Sequence, residues 1–289
     1  MDVTFDDVVL YYFSVRGQMR PVLPERDRYS FKHLHAFFGG RQMSAIRRCD
    51  VRAYIACRQA AGVKISTVQR ELRLFSAAAN LFRVEHGLDG LANPAANLCI
   101  SKQPGRVRWI TREQAGNLVL EAERYAKRPH FPVFLRLALN TGCRRGELLN
   151  LEWSRISLDQ ALLVLEPEQN KSHRRRSVPL NLDALAALKR MRHWQAEHGV
   201  NSRYVFGYEG GRRIGCLKTA MRGALQRAGI DNFRIHDLRH TFANWLVMQG
   251  ESIYVVKDLL GHANVEQTEI YAHLAPTQGK AAVDRLLPF

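Results

Sequence analysis

The sequence has no uninterrupted apolar run approaching a membrane span, and its first residues, Met1-Asp-Val-Thr-Phe-Asp-Asp7, are acidic with no apolar stretch behind them. Neither a transmembrane segment nor a signal peptide is expected. Cysteine is scarce. Cys49, Cys57, Cys99, Cys143 and Cys216 are odd in number, scattered and without close paired spacing, which argues against a disulfide framework and against a structural zinc site. There is no cluster of carboxylates of the kind that holds a pair of Mg²⁺ ions, so a two-metal nuclease is disfavoured, and no cofactor or metal is expected. Internal repeats and low-complexity tracts are absent. Acidic residues are in short supply, 27 against 43 Lys plus Arg, for a formal charge of +16. Residues 1–104 hold 15 basic and 9 acidic residues, and residues 105–289 hold 28 and 18. Both parts are basic, which points to a polyanion gripped from two sides.

What is present reads mainly as helix. Phe5 to Val15, Tyr29 to Phe38 and Asp50 to Ala61 are periodic and apolar, with Asp50 as N-cap of the third. Residues 66–86 carry the clearest pattern. Ser66-Thr-Val-Gln69 fits a capping box, and Val68, Leu72, Phe75, Ala79 and Phe82 form a core-facing stripe. Gln69, Arg70, Arg73 and Asn80 fall away from that stripe. They form either a solvated face or a face that reads base edges, since Arg, Gln and Asn are the residue types suited to it. Pro94 to Arg108 is polar, basic and helix-breaking, and marks a boundary. The expected organisation is a helical domain over 1–100, a linker over 101–108 and a second domain over 109–289. Thr111 and Gln114 form a capping box at the start of that second domain.

Phe131 to Asn150 is a helix interrupted at Thr141-Gly142. Arg144 then stands near the start of a further helix, where backbone N–H groups favour an anion. Leu162 to Leu165 and Arg176 to Leu180 read as short strands, with Asn170-Lys171-Ser-His-Arg174-Arg175-Arg176 as a basic hairpin tip. Lys171 is either an exposed turn lysine or a mobile proton donor reaching a site. Leu182 to His198 and Leu217 to Gly229 are amphipathic helices. Gly210 to Gly215 is a basic turn, and Arg174, Arg175, Arg212, Lys218, Arg222 and Arg227 are available for phosphate contacts.

The stretch Arg234-Ile-His-Asp-Leu-Arg-His-Thr-Phe-Ala carries the chemistry. His236 and Arg239 share a face if the segment is helical. His262 follows Leu-Leu-Gly, where a helix stops, and Tyr271 lies nine residues on. Arginine matches phosphate oxygens, histidine moves protons near neutral pH, and tyrosine can form a covalent intermediate. Such a set suits a phosphodiester better than a carbonyl.

Four blocks stand in order: Thr141-Gly-Cys-Arg144-Arg-Gly-Glu147-Leu, Asn170-Lys171 before a strand, His236-Asp-Leu-Arg239-His, and Leu260-Gly-His262 followed by Tyr271. Together they resemble the tyrosine recombinase (phage integrase, or λ-integrase-like) family over Trp109 to the end. The first 100 residues resemble its helical core-binding domain in size and position, which implies a core-type DNA-binding domain over 1–100 before a catalytic domain over 109–289. The resemblance implies a mainly α fold with a small antiparallel β-sheet, in two domains that clamp duplex DNA. It implies a catalytic set of Arg144, Lys171, His236, Arg239, His262 and the nucleophile Tyr271, supported by Glu147. The arginines would hold the phosphate, Lys171 would protonate the leaving 5′ oxygen, His236 would do acid–base work on the tyrosine and His262 would hydrogen-bond the phosphate. It further implies a homotetramer on two recombination sites, accessory DNA-bending or directionality proteins, and a cytoplasmic, nucleoid-associated setting. A compact Xer-like or phage-integrase type is expected, with no separate arm-binding domain before residue 1. The tail after Tyr271 either docks on a neighbouring subunit or folds back.

Two other classes compete. A zinc metallohydrolase would use His236, His240 and His262, but Arg239 would place a cation beside the metal and Asp237 is one methylene short for the base role. A DNA-binding protein without strand-transfer chemistry would carry the basic surface but has no need of the six-residue set.

Overall fold

The computed structural model describes residues 3–19, 25–98, 106–166 and 175–274. The chain forms two compact units, Met1–Gly105 and Arg106–Phe289.

The first unit is helical. Its elements are α1 (Phe5–Met19), α2 (Glu25–Phe38), α3 (Arg48–Ala60) and α4 (Ile65–Glu85). The expected stripe of α4 is its core face: Val68, Leu72, Phe75, Ala79 and Phe82 are all buried. Phe75 meets Phe5 of α1 edge-on at 5.0 Å and Phe38 of α2 at 5.4 Å between ring centroids. The helix α3 is tied to α4 by one buried carboxylate. Glu71 accepts from the Tyr54 hydroxyl at 2.7 Å and from Arg58 Nε and Nη2 at 3.1 and 2.8 Å. Those bonds replace the hydration that burial removes. Two expected caps are not formed. The helix α4 begins one residue earlier, after Lys64, with no side-chain cap. Asp50 is the third helical residue of α3 and takes the backbone N–H of Arg47 at 2.8 Å, so it acts inside the helix and not as its N-cap.

The second unit contains α5 (Arg112–Arg124), α6 (His130–Thr141), α7 (Arg145–Leu149), α8 (Leu182–Glu197), α9 (Lys218–Arg227), α10 (Asp237–Met248), α11 (Ile253–Leu260) and α12 (Glu266–Glu269). The capping box that opens α5 is formed: Gln114 N–H reaches Thr111 Oγ1, and Thr111 N–H reaches Gln114 Oε1, both at 3.1 Å. Ten residues of α6 are buried, and it packs between α8 and α10. A helix covered on nearly every side loses the usual amphipathic pattern, as Phe-Pro-Val-Phe-Leu shows.

Beside the helices lies an antiparallel sheet of β1 (Ile156–Ser157), β2 (Leu162–Leu165) and β3 (Arg176–Pro179), in that order. Leu163 and Val178 are paired across it and both buried. The strand β1, two residues long, carries no pattern that sequence could have shown. The hairpin tip expected to carry Lys171 and Arg174 lies outside the described residues, as does the tail after Leu274. A small satellite core of Phe242, Val247, Val256, Leu260 and Tyr271 joins α10, α11 and the segment after α12. No helix among the described residues is long and apolar enough to cross a membrane.

Candidate active site

The site grows from two helix ends. The helix α6 closes on Gly142 in the left-handed region, with φ 61°. A Cβ at Gly142 would strike the Phe242 ring and lie 2.8 Å from Leu260 Cδ2. The tight turn delivers Arg144 to the start of α7. There Glu147 accepts the backbone N–H of Arg144 at 2.8 Å and its Nη1 at 2.7 Å. At the amino end of α7 the Glu147 carboxylate therefore takes the backbone N–H of Arg144, the N-cap residue, as well as its side chain. Glu147 also accepts from Arg176 Nη2 at 2.8 Å. Arg176, at the start of β3, donates through Nη1 to the Leu260 carbonyl as well. It was not foreseen, because in sequence it is the last of three consecutive arginines and nothing distinguishes it from its exposed neighbour Arg175.

Arg239 lies in the first turn of α10 and is 3% exposed. Its Nη1 donates to Gly142 O at 2.9 Å and its Nη2 to Leu260 O at 2.8 Å. Burial, with Arg144 and Arg176 close by, draws its pKa down to about 10, so it remains cationic at neutral pH. Two guanidinium groups, Arg144 and Arg176, thus share one carboxylate with a third, Arg239, close by, leaving net positive charge in a partly dry place. The helix itself is anchored by Asp237, which accepts from the Arg234 N–H at 2.8 Å and pairs with Arg106 at 3.0 Å. His236 is the exposed N-cap residue beside it.

The helix α11 ends at Gly261, again left-handed with φ 64°, and sets down His262. His262 Nδ1 lies 2.9 Å from the hydroxyl of the buried Thr268. Burial and the three nearby arginines hold its pKa down to about 3, so it is neutral. Tyr271 is 1% exposed. Burial raises its pKa to about 12, opposed by Arg239. Its hydroxyl lies 2.7 Å from His240 Nδ1. His240, drawn down to about 4 chiefly by burial and then by His236, is also neutral. The rings of His236 and His240 meet edge-on with centroids 5.0 Å apart. The structure therefore brings Arg144, Glu147, Arg239, His262 and Tyr271 together, with His236 at the rim, and adds Arg176 and His240. Among the described residues no group of three His, Cys, Asp or Glu is placed to hold a metal ion.

The residues singled out for DNA contact are spread over both units. Arg70 and Arg73 are exposed on α4, and Gln69 is half-buried beside them. Arg175 is exposed and lies 3.5 Å from Glu166, and Arg212 is exposed after the Gly210-Gly211 turn. Lys218 and Arg222 are exposed one turn apart on α9. They line a groove of about 910 Å³ that also reaches Arg145, Arg234 and His236. Arg227 is otherwise engaged: it pairs with Glu121 at 3.4 Å and stacks on the Tyr125 ring, and so is not available as expected.

The sequence profile of the phage integrase family matches residues 108–278. Among curated proteins, the chain is 36% identical over 184 residues to the integrase of Salmonella phage P22, a match covering 59% of this chain and 45% of that protein. It is 29% identical over 249 residues to tyrosine recombinase XerC of Xylella fastidiosa strain 9a5c, covering 81% and 78% of the two chains. The fold is that of the Tn1549 transposon integrase, solved in complex with a circular intermediate DNA. The TM-score is 0.77 at 14% identity, covering 98% of this chain and 99% of that one.

Proposed function

This chain belongs to the phage integrase family, and on that footing we propose that it is a site-specific tyrosine recombinase. It cleaves and rejoins DNA strands through a covalent 3′-phosphotyrosyl intermediate. The observation that carries this reading is that Arg144 and Arg239 stand beside a neutral His262, donating to the carbonyls of Gly261 and Leu260, with Arg239 also near enough to Tyr271 to oppose the rise of its pKa. A phosphodiester in that place meets two guanidinium forks for its non-bridging oxygens, and the same forks stabilise the charge that grows on the phosphorane. His262 in its neutral form donates a further hydrogen bond, and His236 stands at the rim for proton handling. Tyr271 attacks phosphorus, the bond to the 5′ oxygen breaks, and Lys171 supplies the proton for that oxygen. The ester conserves the bond energy, so rejoining needs neither ATP nor metal.

Duplex DNA is the partner in this reading, with Arg70, Arg73, Lys218 and Arg222 as phosphate or base-edge contacts. Four protomers on two sites exchange strands through a Holliday junction. Affinity falls steeply with salt, because phosphate contacts release counterions.

The test is a nicked suicide duplex carrying the element's own recombination site, run on a denaturing gel. Wild type should give a protein–DNA band that withstands SDS and vanishes on proteolysis, and Tyr271→Phe should give none. Equal bands from both would remove Tyr271 as nucleophile. Tight binding without any band would favour a DNA-binding protein without strand-transfer chemistry.

A further inference from the structure

Tyr271 and His240 lie 31 residues apart in the chain, yet their functional atoms stand 2.7 Å apart. The phenol is buried, with 1% of its surface exposed. A buried phenol in contact with one imidazole nitrogen has a defined path for its proton. A base for that proton must be neutral, positioned and in contact with the oxygen before the reaction starts. His240 satisfies each condition. The groups that face it are His236, Asp237 and Arg239 from its own helix, Arg106 from the segment before α5, and Tyr271 itself. Burial above all, then His236, with two arginines set against the Asp237 carboxylate, keeps the ring neutral at pH 7. Its neighbour in sequence, Arg239, is fixed by the carbonyls of Gly142 and Leu260. The phosphate clamp and the proton acceptor are therefore consecutive residues on one rigid helix.

We propose that His240 is a catalytic residue, the acceptor of the Tyr271 proton during strand cleavage and its donor during rejoining. The sequence resemblance had assigned that work to His236. In cleavage, the Oη–H bond breaks and the proton moves to His240 Nδ1. The Oη–P bond forms, the P–O5′ bond breaks, and the departing oxygen takes a separate proton from Lys171. In rejoining, the 5′ hydroxyl returns its proton to Lys171 as its oxygen attacks phosphorus, the Oη–P bond breaks and the His240 imidazolium returns its proton to the phenolate. The proton count at Tyr271 and His240 is restored after each cycle.

The inference rests on the recombinase reading, and one experiment separates the two. Single-turnover formation of the covalent band is followed for wild type, Tyr271→Phe and His240→Gln. Each is run on a suicide duplex with an ordinary scissile phosphate and on one with a 5′-bridging sulfur, whose leaving thiolate needs no acid. Loss of a positioned base should slow His240→Gln by about 10²–10⁴-fold at pH 7. The defect should persist on the sulfur substrate. Its rate should climb about tenfold per pH unit from pH 7 to 9.5 as phenolate forms in solution, where wild type is flat. A wild-type rate for His240→Gln, or its rescue by sulfur, overturns the assignment while leaving the recombinase reading intact. Equal yields from wild type and Tyr271→Phe sink the recombinase reading itself. A second measurement needs neither DNA nor variant. His-selective ¹⁵N NMR of the whole protein at pH 7 should show His240 as the Nε2–H tautomer, with Nδ1 shifted as an acceptor. An Nδ1–H tautomer or an imidazolium would overturn the proposal.

Discussion

Replacing Glu147 by glutamine tests whether one carboxylate holds the arginines of the site. Glu147 is 3% exposed and receives three N–H groups at 2.7–2.8 Å, from the Arg144 backbone, Arg144 Nη1 and Arg176 Nη2. Glutamine fills the same space but offers a single acceptor oxygen, no charge, and an amide NH₂ turned toward a guanidinium. At least one charge-assisted bond goes, worth about 1.5–3 kcal/mol. Arg176, whose side chain is 8% exposed, loses its counter-ion, and breaking a buried pair from one side costs about 3–5 kcal/mol. The expected loss is therefore about 3–5 kcal/mol. At roughly 2–4 °C per kcal/mol for a unit of this size, the second unit should melt about 6–20 °C lower. Differential scanning calorimetry in low salt, with Arg106–Phe289 followed as its own transition, measures it. Inorganic phosphate should recover the variant more than it raises wild type, since an added anion can stand in for the missing charge. A drop under about 3 °C, with no extra response to phosphate, would refute the view that Glu147 anchors this cluster.

Other consequences are as direct. Gly142→Ala places a Cβ against the Phe242 ring in a left-handed conformation. Strain and overpacking should together cost about 2–4 kcal/mol in urea unfolding, and a loss below 1 kcal/mol would mean the α6–α10 contact is looser than the packing shows. The folded-state pKa of His262 is near 3 and that of His240 near 4, both below the ordinary value near 6.5. As pH falls below 6.5 the unfolded chain takes up protons first, so stability is full above 6.5 and drains away toward pH 4–3, by up to about 1.4 kcal/mol per pH unit for each ring. His262→Gln should remove one ring's share of that slope between pH 6.5 and 4, and an unchanged slope would contradict its burial among arginines.

How much of this could be seen in sequence depended on how local each feature is. The Thr111–Gln114 box, the breaks at Gly142 and Gly261 and the stripe of α4 are decided within a few residues, and the chain spells them out. Arg144, Arg239, His262 and Tyr271 stood out by residue type and position, their roles came through the resemblance, and the structure then gives their partners. Arg176 and His240 were missed as members of the site because their roles arise only on folding. The first is defined by Glu147, 29 residues away, and the second by Tyr271, 31 residues away. The same cause misled the capping at Lys64. Ser66 has the right chemistry for a cap, but the apolar stripe of α4 reaches back past it to Ile65.

The two carbonyls that take Arg239 have a shared property. Gly142 O closes α6 and Leu260 O closes α11, so both are carboxyl ends of helices, where aligned peptide dipoles gather roughly half a negative charge each. Two such ends amount to about one diffuse counter-charge that no mutation of a side chain can remove. The buried guanidinium finds its hydrogen-bond partners in backbone carbonyls, and its charge is left for an incoming phosphate. Anyone transplanting this clamp into another scaffold would have to move two helix ends and their left-handed glycines. The arginine alone would arrive without the thing that makes its burial tolerable.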